Sequence, residues 1–402
     1  MSKSLVKTVF LIDPRWQGHH LTYIKLFTQI LLQQDYRVIV LCPKPDEVYK
    51  LILDTRPEYI AQLHVDKLIE SKSPSISILG MGALYPTLSR WYLTTNAIAK
   101  AKKKFNIKPD IVFLSWLDGY LYLGYSALVC RSLYKLVDVF FPYKWCGLLF
   151  HTYTAQAKQN PDIYQIIKSK KCYAIAVLNK LNSHDLKKLD KKIVVFPDIA
   201  DDASPDVAYD LVQKIIEKAD QRKIIGLLGY LEKRKGILNL IEIAQQSIQK
   251  PWFFVFAGIL SQNTFSATEI NKILNFAASN PSNCLFHFER IPEESQFNAL
   301  VNKCDVLYAV YQDFSSSSNI LTKAAIFKRL VLVANGYYME SIVKEFNLGL
   351  SVNETEISKQ IDALEILIDQ DRFYQNLGDP KFEEYKQLHS VNQLSQAITD
   401  FL

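Results

Sequence analysis

The feature that most constrains this chain is an alternation that runs twice along it. Short β-branched runs, each compatible with a buried strand, are followed by longer stretches with apolar residues at helical spacing. That alternation is the signature of parallel α/β layers, because consecutive parallel strands need a crossover connection and a helix supplies it. In the first half the strand-like runs are TVFLID, RVIVLCP, ISILG, DIVFLSW, WCGLLFH, AIAVLN and KIVVFPD. Between the first two lies LTYIKLFTQILLQQ, in which Leu21, Ile24, Phe27 and Leu31 fall on one helical face. The acidic, Pro-containing stretch IADDASPD reads as a linker, after which a helix over about 207–219 restarts the pattern. KIIGLLGYL, PWFFVFAGIL, CLFHFER, DVLYAVY and LVLVANG then follow, each with a helix behind it.

A length of 402 residues exceeds what one core usually supports. The expected architecture is therefore α/β with two Rossmann-like parallel-sheet domains facing each other across a cleft. We place them at 1–200 and 201–385, with a C-terminal helix over 386–402 packing back towards the first. Hydrophobic residues make up 49% and charged residues 22%, a balance that builds cores and excludes disorder. Cys42, Cys130, Cys146, Cys172, Cys284 and Cys304 lie far apart and form no CxxC pair, so neither a zinc site nor a redox motif is signalled and a cytoplasmic setting fits. The start, MSKSLVKTVFLIDP, lacks a signal-peptide pattern. The most membrane-like window, 111–130, has Asp118 in its middle and reads as strand, loop and buried helix.

Charge is lopsided. The first 200 residues carry 28 Lys and Arg against 15 Asp and Glu, leaving 19 against 26 for the rest. Two readings stand side by side. Either the first half faces something anionic, such as a lipid surface or a charged acceptor, or Lys102–Lys104 and the lysines near 190 are solvated helix and turn ends. No nucleic-acid partner is signalled.

Four loops carry candidate chemistry. DPRWQGHH, from Asp13 to His20, follows the first strand, where ligands bind in doubly wound folds, and Gly18 permits close approach to the backbone. His19 and His20 open the next helix, and either could orient or deprotonate a hydroxyl. His151 ends the apolar strand WCGLLF. Gly229 and Gly236 bracket Lys233, Arg234 and Lys235 ahead of a helix, where amides and dipole favour a phosphate, although the spacing is not that of a Walker A loop. In YQDFSSSSNILTKAA, Ser318 is placed to cap a helix whose first amides, at Asn319 and Ile320, would form a second phosphate-accepting end.

Taken in order, these motifs resemble the GT-B fold glycosyltransferases, particularly the retaining family 4 (glycosyl transferases group 1). The resemblance rests on the glycine loop, on His151, on VVFPDIADD, LLGYLEKRKGILNLIEIA, FVFAGIL and FERIPEESQFNALVNKCDVLYAVY, and on the segment beginning LTKAAIFKRLVLVANG. It implies a metal-independent hexosyltransferase that uses a UDP or GDP sugar as donor, requires no cofactor, and acts on a glycan, lipid or small-molecule acceptor. Lys235 would hold the donor diphosphate together with the amides of Ser318, Asn319 and Ile320. Gly18 would lie beneath the donor sugar, His151 near the reacting carbon, and Ile291 where backbone atoms meet the base.

Two positions depart from the family pattern. Tyr230 stands where an arginine is usual, with Arg234 able to supply the charge. The usual glutamate pair aligns with Ser315 and Lys323, and a lysine has no acceptor for ribose hydroxyls. Lys323 is thus expected to read a phosphate or the nucleotide instead. The alternative reading is a degenerate GT-B protein that binds a nucleotide or glycan, or supports a partner transferase. Gly18-His19 also looks like the Gly-His of inverting GT-B enzymes, which leaves the stereochemical outcome open.

Overall fold

A computed structural model describes residues 6–16, 19–68, 84–122, 126–151, 162–179, 186 and 189–402. The run ISILG, the expected Gly18 site and the His19 side chain lie outside what is described. The chain forms two compact units, Met1–Pro197 with Val391–Leu402, and Asp198–Ser390. Both are parallel α/β sandwiches.

In the first unit the strands are β1 (Thr8–Ile12), β2 (Arg37–Cys42), β3 (Leu63–Lys67), β4 (Ile111–Leu114), β5 (Trp145–Leu149), β6 (Cys172–Val177) and β7 (Lys192–Val195). They pair in the order β3-β2-β1-β4-β5-β6-β7, every pairing parallel. β1, β4 and β5 are buried along their whole length, as strands covered on both faces must be. Helix α1 (His19–Gln33) lays Ile24, Phe27 and Leu31 into the core, all with no exposed surface. Helices α2 (Pro45–Thr55), α3 (Leu84–Phe105) and α4 (Ala127–Phe140) complete the layers. Trp91 of α3 anchors one face, meeting Tyr120, Phe141 and Trp145 edge-on at 4.9–5.5 Å.

The expected single C-terminal helix is two. Phe382–Leu388 belongs to the second unit and Val391–Phe401 to the first. The latter docks through Phe401 on Phe113 and Phe196, and Gln34 donates to the Ser395 carbonyl at 2.8 Å.

The second unit holds β8 (Lys223–Leu228), β9 (Trp252–Ala257), β10 (Cys284–His287), β11 (Val306–Ala309), β12 (Leu330–Ala334) and β13 (Gly349–Val352). Their order is β10-β9-β8-β11-β12-β13, again all parallel. Helices α5 (Asp210–Ala219), α6 (Ile237–Gln246), α7 (Ala267–Ala278), α8 (Glu294–Lys303) and α9 (Ile320–Ile326) are joined by four more towards the C-terminus. α5 begins at Asp210 rather than near 207, because Asp206 takes the Ala208 amide on its side chain and the Tyr209 amide on its carbonyl. In each sheet the order reverses once, between β1 and β4 and between β8 and β11. Loops at a reversal diverge to opposite faces and open a crevice at the strands' carboxyl ends.

Candidate functional site

At the first reversal, β1 runs into Asp13, which is fully buried. Its backbone amide donates to the Leu41 carbonyl at 3.1 Å, tying the strand end to β2. Its carboxylate accepts from the Arg15 amide at 2.8 Å, from Ser115 Oγ at 2.8 Å and lies 3.2 Å from His20 Nδ1. Ser115 follows β4, so the contact spans the two strands at the switch point. A carboxylate against Nδ1 fixes the tautomer that carries its proton there and leaves Nε2 as the base-competent atom. The His20 ring sits edge-on to Trp116 and tilted to Phe150, both at 5.6 Å between centroids.

A second Asp–His pair stands nearby. Asp118, in the short turn Leu117–Tyr120, accepts from the Phe150 amide at 2.8 Å and from the His151 amide at 3.0 Å, and lies 3.1 Å from His151 Nδ1. Burial pushes the Asp118 carboxyl up, but the His151 ring and the two amides outweigh it, and the net shift is downward. Phe150 links the pairs, since its ring touches His20 and its amide is held by Asp118. The His151 side chain is half exposed, whereas His20 is buried.

At the second reversal, Gly229 follows β8 with φ 95° and Gly236 precedes α6 with φ 74°. A Cβ on Gly236 would come within 2.7 Å of the Val310 carbonyl, so both backbone angle and space demand glycine there. The three cations between them part company. Lys233 pairs with Glu269 at 2.6 Å and Arg234 with Glu232 at 2.8 Å, Arg234 also lying 4.6 Å over the Phe314 ring. Lys235 has no carboxylate partner among the described residues. Its Nζ rests 3.4 Å from the Leu228 carbonyl and 3.4 Å from where a Gly229 Cβ would stand. The Gln312 amide donates to the Arg234 carbonyl at 2.6 Å, joining this loop to the one after β11.

That serine-rich loop differs from expectation in two respects. Ser318 does not cap α9. Asn319 holds the cap position without a side-chain bond, and the Ser318 carbonyl accepts the Leu321 amide. The neighbouring Ser317 hydroxyl instead donates to Asp198 Oδ2 at 2.6 Å, which draws the loop inward, and Ile320 is buried. Lys323 is not offered to a phosphate either. At 2% exposure its ammonium donates to Glu294 Oε2 at 2.8 Å, to the Asp201 carbonyl at 3.1 Å and to Asn298 Oδ1. Three protons meet three acceptors. Glu294, at the start of α8, stays about half exposed. Ile291 lies in the loop before that helix, partly buried against the core, and Ser315 is part of the loop before α9.

The expected histidines and Lys323 are held by partners that the sequence pattern did not indicate: Asp13 and Ser115 with His20, Asp118 with His151, Asn298 and Glu294 with Lys323. A charged residue inside an otherwise apolar run, as Asp118 is, was the available signal. Among the described residues no group of three or more His, Cys, Asp or Glu is placed to hold a metal ion, and no helix is long and apolar enough to cross a membrane.

Two parallel sheets of these strand orders, each with its loops gathered at the reversal, have the fold of the GT-B glycosyltransferases. Among solved structures the chain is similar to a glycosyltransferase from Rickettsia africae (14% identity, 99% of this chain and 98% of that one, TM-score 0.65). It is likewise similar to sucrose-phosphate synthase from Thermosynechococcus elongatus (13%, 98% of each, TM-score 0.67) and to Anabaena HepE in complex with UDP and glucose (12%, 98% of each, TM-score 0.66). No protein-family model and no curated protein matches the sequence.

Proposed function

We propose that the protein transfers a hexose from a nucleoside diphosphate sugar, of the UDP type, to an acceptor held by the first unit. The observation that carries this is the loop between Gly229 and Gly236, in a fold shared over its whole length with HepE, whose structure holds UDP and glucose. There one lysine, Lys235, stands without a carboxylate partner among the described residues, over a glycine at the sheet reversal. Its charge, with the first amides of α9, would neutralise the departing diphosphate as a bound cation does elsewhere. Position 323 offers no acceptor of its own, but Glu294 stands beside it. Lys323 holds that carboxylate half in solvent, three residues after Ile291, and we assign to it the ribose contact.

In the first unit His20, oriented by Asp13, is the candidate base for an inverting transfer. His151, oriented by Asp118, is the candidate for positioning the sugar in a retaining one, in which the donor phosphate assists the acceptor. We favour retention. The carboxylate behind each ring stabilises the imidazolium that proton uptake would form.

The same unit is also proposed to rest on an anionic lipid surface from the cytoplasmic side. Leu128 and Val139 of α4 are 76% and 80% exposed, with Lys135 between them, and Tyr92 of α3 is 60% exposed. Apolar and aromatic residues interleaved with lysine suit an interface. Of the Lys102–Lys104 run, Lys104 is engaged with Asp66 and Lys102 lies over Tyr143, so Lys103 and Lys135 are the residues to neutralise. Vesicle sedimentation at two salt concentrations tests this.

Calorimetry with UDP-glucose, followed by a donor-hydrolysis assay, tests the central reading. Lys235→Ala should weaken donor binding by about 1.5–3 kcal/mol, the range for a charge-assisted hydrogen bond. Unchanged affinity removes Lys235 from the site. Donor binding without turnover on any acceptor favours the degenerate alternative.

A further inference from the structure

Every strand of the first sheet except β3 and β4 begins on a cation or just after one. Lys7 precedes β1, Arg37 opens β2, Lys144 precedes β5, Lys171 precedes β6 and Lys192 opens β7. The ladder lines them up. The Arg37 amide donates to the Lys7 carbonyl at 3.0 Å, the Trp145 amide donates to the Lys171 carbonyl at 2.9 Å, and Lys192 is in register with Ala174 of β6. β4 stands between Lys7 and Lys144, with its Val112 amide on the Lys144 carbonyl at 2.8 Å. From β2 to β7, at about 4.8 Å per neighbour, the row runs for about 24 Å.

Lys7, Arg37, Lys144 and Lys192 are exposed and Lys171 is half-buried. The ion pairs of this unit's lysines and arginines lie elsewhere, at Lys44, Arg56, Lys104 and Arg131, and among the described residues none of the five has a carboxylate partner. Asp110, just before β4, spends its carboxylate on the Thr8 amide at 2.7 Å, and Asp138 spends its own on Ser169 and the Lys170 amide. Asp35 and Asp190 are exposed nearby, outnumbered by the row together with exposed Lys108, Lys168 and Lys170. The Tyr173 ring lies between two of the cations, 3.6 Å from the Lys144 ammonium and 5.8 Å from that of Lys192. Apolar residues flank the row: Val6, beside Lys7, is 46% exposed, and Val139, five residues before Lys144, is 80% exposed. Unpaired cations with a tyrosine and valines among them suit the headgroup layer of an anionic bilayer, where stems lie on apolar surface and charged ends meet phosphate.

The row marks the amino ends of the strands. Asp13, Ser115 and His151 follow the carboxyl ends of β1, β4 and β5. Strands of this length set the two ends about 13–17 Å apart, whereas one headgroup layer is about 5–8 Å deep. We infer that the amino ends of the first sheet form the face that meets an anionic lipid surface, so that the crevice beside His20 and His151 opens away from the bilayer and takes an acceptor from solution. This rests on the lipid-surface reading above, which leaves the side of contact open, and on the transferase reading for the word acceptor.

The experiment is sedimentation of the full chain with phosphatidylcholine vesicles carrying about one third phosphatidylserine. Lys7→Gln, Arg37→Gln, Lys144→Gln and Lys192→Gln combined should lower partitioning about a hundredfold or more, since each cation near such a surface is worth about fivefold. Leu128→Gln, at the start of α4, should leave it within about twofold. A second measurement stands even if the combined variant does not fold. A fluorophore on Lys144→Cys should be quenched by spin-labelled lipid and one on Arg15→Cys should not, the native cysteines being buried. Equal quenching at the two positions, or transfer to a short glycolipid in the vesicles, overturns the orientation. Loss of binding in Leu128→Gln with the combined variant unaffected moves the contact to α4, which overturns this inference and leaves the lipid-surface reading standing. A wild type that sediments with no vesicle defeats both, and its retention on heparin would then give the row to a soluble polyanion.

Discussion

Replacing Lys323 with glutamate would install the carboxylate expected there from the sequence resemblance, and the structure predicts a less stable protein. The ammonium is 2% exposed and its three donors are all used, on Glu294, Asp201 and Asn298. Asn298 cannot turn to help, since its amide nitrogen already donates to the Ala203 carbonyl at 2.8 Å. A carboxylate at 323 would face three oxygens. The Asn298 carbonyl oxygen left unmet costs about 1–3 kcal/mol, while the Asp201 carbonyl keeps the Asn298 amide at 3.3 Å, and the carboxylate itself is enclosed without a donor. Repulsion from Glu294 adds less than a buried pair would, because Glu294 is half in water and can turn outward. We therefore expect a loss of about 3–5 kcal/mol for Lys323→Glu and about 2–3 kcal/mol for Lys323→Met, which creates no repulsion. Urea unfolding followed by circular dichroism measures both. The exchanged variant, Lys323→Glu with Glu294→Lys, re-forms one pair and should recover about 1–2 kcal/mol in a double-mutant cycle. Wild-type stability in Lys323→Glu, or no coupling in the cycle, refutes the assignment of this ammonium to an internal network.

Asp118→Asn should cost about 1.5–3 kcal/mol at pH 7, because a charged acceptor of three donors becomes a neutral one. The folded carboxyl is shifted down, so its contribution is full above the ordinary value near 4 and is lost as pH falls through the lowered one. Urea titrations of wild type and variant should accordingly converge below about pH 4 and not at higher pH. Glu269, hydrogen-bonded by Lys233 and capping α7 with Ser266, is pulled down to about 2. Carboxyl-carbon NMR should find it ionised throughout a titration to pH 3, and Lys233→Met should raise its midpoint towards about 4. All six cysteines are buried, and burial pushes the Cys42, Cys172, Cys284 and Cys304 thiols up to about 12. A colorimetric disulfide reagent should therefore label them only as fast as the protein opens, and rapid labelling in native buffer would contradict their placement.

Most of the sheet was legible because a parallel strand covered on both faces must be apolar along its buried length, as IVFL and IIGLL are. β3 and β13 were not read as strands. Each is an edge of its sheet, and LHVDK and GLSV carry the polar and glycine residues that an edge tolerates. The candidate site was legible as loops but not as pairs. Asp13 and His20 stand seven residues apart, and Asp118 and His151 thirty-three, separations at which no local periodicity relates one side chain to the other. The cap at Ser318 was misread for a similar reason. Asp198, far away in sequence, takes the Ser317 hydroxyl, and a local capping rule cannot see that competitor.

The Gly229–Gly236 loop carries this point further. Three consecutive cations suggest a strongly positive helix entry, yet Glu232 and Glu269 cancel two of them, one from the adjacent position and one from α7. Among the described residues Lys235 is left without a carboxylate, its ammonium 3.4 Å from where a Gly229 Cβ would stand. Lys323 makes the complementary case. A lysine at a position where the sequence resemblance leads one to expect a glutamate looks like loss of function when residues are compared one by one. In the folded unit the lysine is enclosed and a carboxylate from α8 is held beside it at 2.8 Å. The strand reversal fixes where charges gather, whereas the sign presented at any point is set by the neighbours that the fold brings to it. A substitution read without those neighbours therefore gives the wrong sign for the surface at which a nucleotide would arrive.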